Sequence, residues 1–250
     1  MVLKVRRNRK AERELIERIR EKNTKGRDPG ISLTDLVYCS RKSYLRLKGE
    51  TPPPDDDAIL TFSFGWAMHW LSERGPEKRK QIEGLWYSPD EIDLALDPEN
   101  PEKKIVVDFK GTRKSSAKAD LGAWPDQLGG YALAEGTNLA RLQTLYYVGQ
   151  YGGKSPITKS DGTVEIPTPF SPQHRAWDLE YDEAELQGWG RELGRRRRMI
   201  EGAKKLEDIP LSEHFDWECK YCPHWGNKCP GGGGERLPWF GAIETQEDIP

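Results

Sequence analysis

The sequence has no long apolar run, few cysteines and no excess of one charge. No stretch approaches the roughly 18–20 apolar residues that a membrane-spanning helix requires. Met1–Lys10 is charged, with no apolar stretch behind the charges, so no secretory leader is expected and the cytoplasm is the expected compartment. Four cysteines in 250 residues are too few for a disulfide scaffold. A chain of that length buries roughly 70–75% of its unfolded surface and needs none. The net charge of −2 excludes a uniformly basic, histone-like protein. Hydrophobic residues make up only 35%, so the core depends on large side chains, and nine Trp and nine Tyr supply them.

Charge is unevenly distributed. Residues 1–27 hold eleven Lys/Arg and four Glu, a local charge of +7 with little apolar content. Residues 1–30 therefore read as a basic, weakly packed arm, either a solvated helix or a nucleic-acid contact. Ser32-Leu-Thr-Asp35 has the form of a capping box ahead of Leu36-Val-Tyr38. Thr51–Asp57 reads as a loop, and 58–73 as a helix carrying Gly65-Trp-Ala-Met-His69. Strands are predicted at 81–87, 91–97 and 104–110, with 97–103 as the last turn. A helix at about 125–135 and a strand at 142–149 follow. Residues 152–175 are loop or hairpin, 177–181 a short strand, and 182–206 a long helix. Four consecutive glycines open a tail, 231–250, expected to be flexible.

Ile105-Val-Val-Asp108-Phe-Lys110 carries the clearest chemical signal. Period-two alternation sends Ile105, Val107 and Phe109 one way, toward a core, and Asp108 and Lys110 the other. In Ile92-Asp93-Leu94-Ala95-Leu96 the apolar residues alternate likewise, so a hairpin is expected to bring Asp93 beside Asp108. Two carboxylates suit a hard divalent cation such as Mg²⁺, which takes oxygen ligands and polarises a phosphate. An adjacent lysine could orient a water or stabilise developing charge. An exposed strand face with an ion pair would show the same Asp-x-Lys.

Order and spacing carry a resemblance. Asp93, a hairpin, Asp108-Phe-Lys110, then Gln127-Leu-Gly-Gly-Tyr131 is similar to the PD-(D/E)xK nuclease core in its RecB-like branch. The resemblance implies metal held by Asp93, Asp108 and His69 of Gly65-x-x-x-His69. It implies that Lys110 serves the water, that Gln127 and Tyr131 support lysine and substrate, and that Glu83 helps position metal or water. Pro89-Asp90 spells the motif but precedes the strand, so Asp93 is preferred. A glycine is usual three residues before that acid, and Asp90 stands there instead, which leaves Asp90 as a second candidate.

Cys219-Lys-Tyr-Cys222, Cys229 after six more residues, and the distant Cys39 form a strong metal signal. Thiolates suit either Zn²⁺ or an iron–sulfur cluster, and His224 could join in the zinc case. The one-plus-three layout resembles AddB-type helicase–nucleases and the CRISPR-associated (Cas-four) exonucleases, as does Ser32–Tyr44. That resemblance implies a 4Fe–4S staple between segments 32–44 and 217–230. His174 and His214 have no assigned partner. Arg191, Arg195 and Arg198, in an arginine-rich helix, are candidate phosphate contacts. Trp66, Trp70 and Trp124 are candidate stacking platforms.

The expected fold is one α/β nuclease domain over 31–230: a restriction-endonuclease-like central mixed sheet flanked by helices. The expected function is Mg²⁺- or Mn²⁺-dependent DNA cleavage, exonucleolytic on single-stranded ends, alongside CRISPR adaptation, recombination or repair proteins, with no membrane. Two rivals are a catalytically silent DNA-end-binding or assembly module of the same fold, and an iron–sulfur electron carrier.

Overall fold

The computed structural model describes residues 9–23, 30–56, 58–60, 63, 65, 67, 79–94, 102–113, 123–148, 157–158, 164–165, 173–211, 215, 218–219, 222–231 and 238–240. His69, Trp66, Trp70 and His214 lie outside them. Helices are α1 (Arg9–Asn23), α2 (Leu33–Val37), α3 (Ser40–Leu47), α4 (Trp124–Glu135) and α5 (Glu183–Gly202). Strands are β1 (Lys80–Ile82), β2 (Leu85–Tyr87), β3 (Glu91–Leu94), β4 (Lys104–Arg113), β5 (Leu139–Val148), β6 (Ile157–Thr158), β7 (Val164–Glu165) and β8 (Gln173–Glu180).

Local chemistry sets several of these boundaries. Ser32 caps α2: its backbone N–H donates to Asp35 Oδ2 at 2.8 Å, and Asp35 N donates to Ser32 Oγ at 3.3 Å. Arg46 of α3 clamps the same carboxylate at 2.6 Å. Pro125 opens α4, where a missing N–H costs nothing, and Gly136 ends it in the left-handed region. Asp182 caps α5 by accepting from Ala184 and Glu185 N–H.

The central sheet runs β3-β4-β5-β8, with β4 and β5 parallel and the outer pairs antiparallel. A parallel pair needs a crossover, and α4 supplies it. Helices α2, α4 and α5 pack over the face that shows Val106, Ala140 and Leu142. Leu33, Leu36, Leu128, Ala132 and Trp189 complete this main core. Each fully buried large apolar side chain contributes about 1.5–3 kcal/mol. Space between α2 and α4 is tight, because a Cβ on Gly130 would stand 2.8 Å from Leu33 Cδ1.

Three sequence expectations need correction. Val106 and its neighbours, not Ile105 and Val107, face the main core. Ile105 and Val107 join only a small second cluster with Phe109 and Leu139. Both faces of β4 are therefore buried. The expected strand at 81–87 is a hairpin, β1–β2, turning at Glu83 and Gly84, both with positive φ (49° and 77°) as a tight two-residue turn demands. In the basic arm α1 is mostly exposed, and its Arg20 bonds Asp56 and the Pro54 carbonyl, each at 2.7 Å. In the expected flexible tail, Trp239 and Phe240 dock on α4 and α5. Trp239 N–H reaches both oxygens of buried Asp126 at 3.0 Å, and Phe240 packs on Tyr181.

Candidate active site

Alternation along β4 puts Val106, Asp108 and Lys110 on the helix-covered face. Asp108 is 2% exposed, and Lys110 Nζ lies 2.7 Å from its Oδ2. Either charge alone would cost several kcal/mol at this depth, so the pair exists only as a pair. From above, α4 lowers Gln127 and Tyr131, one helical turn apart, onto the same spot. Gln127 Nε2 donates to the Tyr131 hydroxyl at 2.8 Å, and the Tyr38 hydroxyl approaches Gln127 Oε1 at 3.4 Å.

The electrostatics define what each group can do. Burial opposes the Lys110 charge, but the Asp108 carboxylate beside it outweighs burial and raises the ammonium pKa above its ordinary value. Lys110 therefore stays protonated through the physiological range. It can donate hydrogen bonds and stabilise negative charge, but it is no proton acceptor. Burial pushes the Tyr131 phenol up to about 12, with Asp108 adding and Lys110 opposing. Burial likewise raises Tyr38. Both phenols are neutral donors.

The β3–β4 register decides which second acid joins them. Asp93 pairs directly with Ile105, and Glu91 with Val107. Directly paired residues share a face, so Asp93 lies on the Ile105–Val107 side, opposite to Asp108. There it meets Arg141 at 3.6 Å, and Arg141 binds Asp178 at 2.6 Å. The expected Asp93–Asp108 pair is thus not formed. The sequence reading was off by one residue, which inverts every side chain of a strand. One residue before the Glu91–Val107 pair stands Asp90, its Oδ2 accepting from Phe109 N–H, the residue between Asp108 and Lys110, at 2.6 Å. Pro89-Asp90 precedes the strand as expected, and Asp90 is the acid tied to the Asp108–Lys110 segment.

Other candidates fall as follows. Glu83 is exposed at the β1–β2 turn, on a separate sheet, with its carbonyl accepting from Arg197. Trp124 is partly buried against the main core. Arg191, Arg195 and Arg198 share one exposed stripe of α5 with Trp239 beside it. Arg195 is held by Glu192 through two bonds of 2.7 and 2.8 Å. His174 is exposed, 3.1 Å from Gln143 Oε1.

All four cysteines are free, partly buried, and line one cavity together with Arg41, Glu218 and His224. Glu218, itself buried, holds the Cys39 N–H at 3.0 Å. Backbone N–H groups point at Cys39 (from Lys42 and Arg41) and Cys222 (from His224), and Arg41 Nη1 lies 3.9 Å from Cys229 Sγ. Such donors favour thiolate. Without a bound cation, burial pushes the Cys39 thiol up to about 12 and raises Cys222. His224 is buried, its ring 3.4 Å from Thr51 Oγ1. Among the described residues no group of three or more His, Cys, Asp or Glu side chains is arranged to hold a metal ion.

Sequence reasoning missed Tyr38, Glu218 and Asp126. Each borders a residue that was singled out or docks the tail, but nothing in its own spacing marked it.

The class of protein comes from the family comparison. Residues 90–229 match the PD-(D/E)XK nuclease superfamily, and the chain belongs to it. The match begins at Asp90. No curated protein matches the chain. Among solved structures, the crystal structure of SSO0001 is similar at 17% identity and a TM-score of 0.44, over 85% of this chain and 93% of that one.

Proposed function

We propose that this chain is a Mg²⁺- or Mn²⁺-dependent DNA exonuclease acting on single-stranded ends, in recombination, repair or CRISPR adaptation. The observation that carries the reading is the buried Asp108–Lys110 pair under Gln127 and Tyr131, with Asp90 tethered to the next residue of β4. Superfamily membership supports divalent-metal chemistry, and the order of motifs supports the RecB-like branch.

Asp108 and Asp90 form a hard oxygen donor set suited to Mg²⁺ or Mn²⁺. His69 completes the proposed ligands. When bound, the cation would polarise the scissile phosphate and lower the pKa of a coordinated water. The protein's own contributions are separable. Lys110, held as an ammonium, would donate to the attacking water and stabilise the negative charge building on the phosphate. Gln127 fixes the phenol of Tyr131 beside that ammonium. The helix cover keeps the site partly dry, which strengthens these interactions. Arg191 and Arg198 would track the phosphate backbone of the strand.

For the cysteines we propose a 4Fe–4S cluster, with Zn²⁺ as the alternative occupant. Four thiols on one cavity with N–H groups aimed at sulfur support it. Tying Cys39 to Cys219 closes a loop of about 180 residues, worth several kcal/mol in the chain-entropy account.

The test is cleavage of end-labelled single-stranded, double-stranded and circular DNA with Mg²⁺, Mn²⁺ or chelator. Metal-dependent degradation of linear single strands is expected, lost in Asp108→Ala and Lys110→Ala. Equal cleavage by Asp108→Ala and parent would sink the proposal. Iron, sulfide and zinc assays on anaerobically purified protein decide the occupant of the cysteine cavity.

A further inference from the structure

Tyr38 and Cys39 form the two-residue elbow between α2 and α3. Tyr38 closes α2 (φ −94°, ψ −159°) and Cys39 opens α3 (φ −60°, ψ 112°). Their side chains serve different sites. The Tyr38 hydroxyl reaches Gln127 Oε1 in the nuclease cluster, while Cys39 lines the cysteine cavity. Glu218 spans the gap. One of its oxygens accepts from Cys39 N–H at 3.0 Å, the other from Phe215 N–H at 2.9 Å. The Tyr38 ring in turn leans edge-on against Phe215, with centroids 6.5 Å apart. The charges felt by the Tyr38 phenol come from Lys110, Asp108 and Tyr131 of one site and Glu218 of the other.

We propose that Tyr38 is a positioning residue: binding at the four-cysteine cavity fixes the elbow, and the Tyr38 phenol transmits that to Gln127 and Lys110. A centre shared by Cys39 and Cys219–Cys229 locks the elbow against the C-terminal segment. An empty cavity leaves the elbow to contacts within the chain, among them Glu218 on the Cys39 N–H, the Ser43 hydroxyl on the Cys39 carbonyl and the Tyr38–Phe215 contact. A displacement of about 1 Å at Gln127 is enough to degrade a preorganised site. The catalytic consequence rests on the nuclease reading, whereas the mechanical coupling stands without it.

Hydrogen–deuterium exchange tests the coupling directly. Protein reconstituted anaerobically with ferrous iron and sulfide, or loaded with Zn²⁺, is compared with chelator-stripped protein, for the parent and for Tyr38→Phe. Phenylalanine keeps the ring against Phe215 and removes only the hydroxyl. Stripping the parent is expected to speed exchange in α4 about fivefold, the loss of roughly one hydrogen bond. In Tyr38→Phe that dependence on loading disappears while metal content matches the parent. Cleavage read alongside should show kcat of loaded Tyr38→Phe down about fivefold, with KM for DNA within about twofold. Exchange in α4 that ignores loading in the parent, or responds equally in both proteins, overturns the proposal. A chain that binds neither iron nor Zn²⁺ also overturns it. Loading-dependent exchange in a parent that cleaves nothing overturns the nuclease reading and leaves the coupling standing.

Discussion

Replacing Asp90 and Asp93 one at a time separates two readings of the same hairpin. Asp93 sits on the sheet face away from Lys110, with a side chain 41% exposed and one ion pair of 3.6 Å to Arg141. Exposed pairs of this kind are worth about 0–1 kcal/mol, and Arg141 keeps Asp178 as partner. Asp93→Asn should therefore change stability by less than about 1 kcal/mol and cleavage by less than about threefold. Asp90 is different, because one oxygen accepts the Phe109 N–H at 2.6 Å. Removing that acceptor would leave a partly buried donor unmet, at about 1 kcal/mol. Asparagine keeps a carbonyl oxygen for Phe109 and loses only the charge. Asp90→Asn should then fold as the parent does yet lose cleavage on the order of a thousandfold, about 4 kcal/mol of transition-state stabilisation. The assay is the initial rate of nucleotide release from labelled single strands across a Mn²⁺ series, with thermal melts of all three proteins. An inactive Asp93→Asn beside an active Asp90→Asn would refute the register argument, since only an inverted β3 could produce it.

Other consequences are equally concrete. Gly129→Ala places a Cβ 2.6 Å from Phe240, so it should undock the C-terminal segment at about 1–3 kcal/mol and shift Trp fluorescence; Phe240→Ala added to it should cost little more. Arg196 is buried, bound to Glu192 at 2.9 Å and to the Leu36 carbonyl at 3.0 Å, so Arg196→Ala should lose about 3–5 kcal/mol in urea unfolding. Exposed Arg198→Ala should instead leave stability within about 0.5 kcal/mol and flatten the salt dependence of DNA binding by about one unit. Burial raises the Asp126 carboxyl from the usual 3.8 to about 6. The folded chain therefore holds a proton that the unfolded chain releases. The associated stability is present below about pH 4 and declines as pH rises through 6, by on the order of 3 kcal/mol. Asp126→Asn should show a shallower fall in unfolding free energy between pH 4 and 7, and an unchanged slope would contradict the assignment.

What the sequence made legible was local. The capping box at Ser32–Asp35, the Pro125 start of α4 and the Gln127–Tyr131 helix face all depend on near neighbours, and all appear as expected. Asp108 beside Lys110 followed from alternation alone. The register of β3 did not. Val106 and Val107 are both fully buried, so the apolar pattern of β4 has no phase from which to tell one face from the other. The β3 residues alternate well enough to satisfy either pairing. Only the covering helices break the tie, and they come from distant sequence. The convergence of the cysteines was readable as a pattern, but the elbow that ties them to the nuclease cluster was not. Tyr38 reaches Gln127 across 89 positions.

The contacts around that elbow also bear on how the chain is made. Cys39 meets Glu218 across 179 positions, Arg41 meets Ile209 across 168, and Leu36 meets Arg196 across 160. At ribosomal speeds of about 5–20 residues per second, the partners of α2 and α3 emerge roughly 10 to 40 s after them. During that interval Leu33, Leu36 and Val37 lack the part of their cover that α5 supplies. Such a domain is expected to lean on chaperones during synthesis and to complete folding only after release of its C-terminal third. Its folding rate should be set by closure of these long loops, not by its helices.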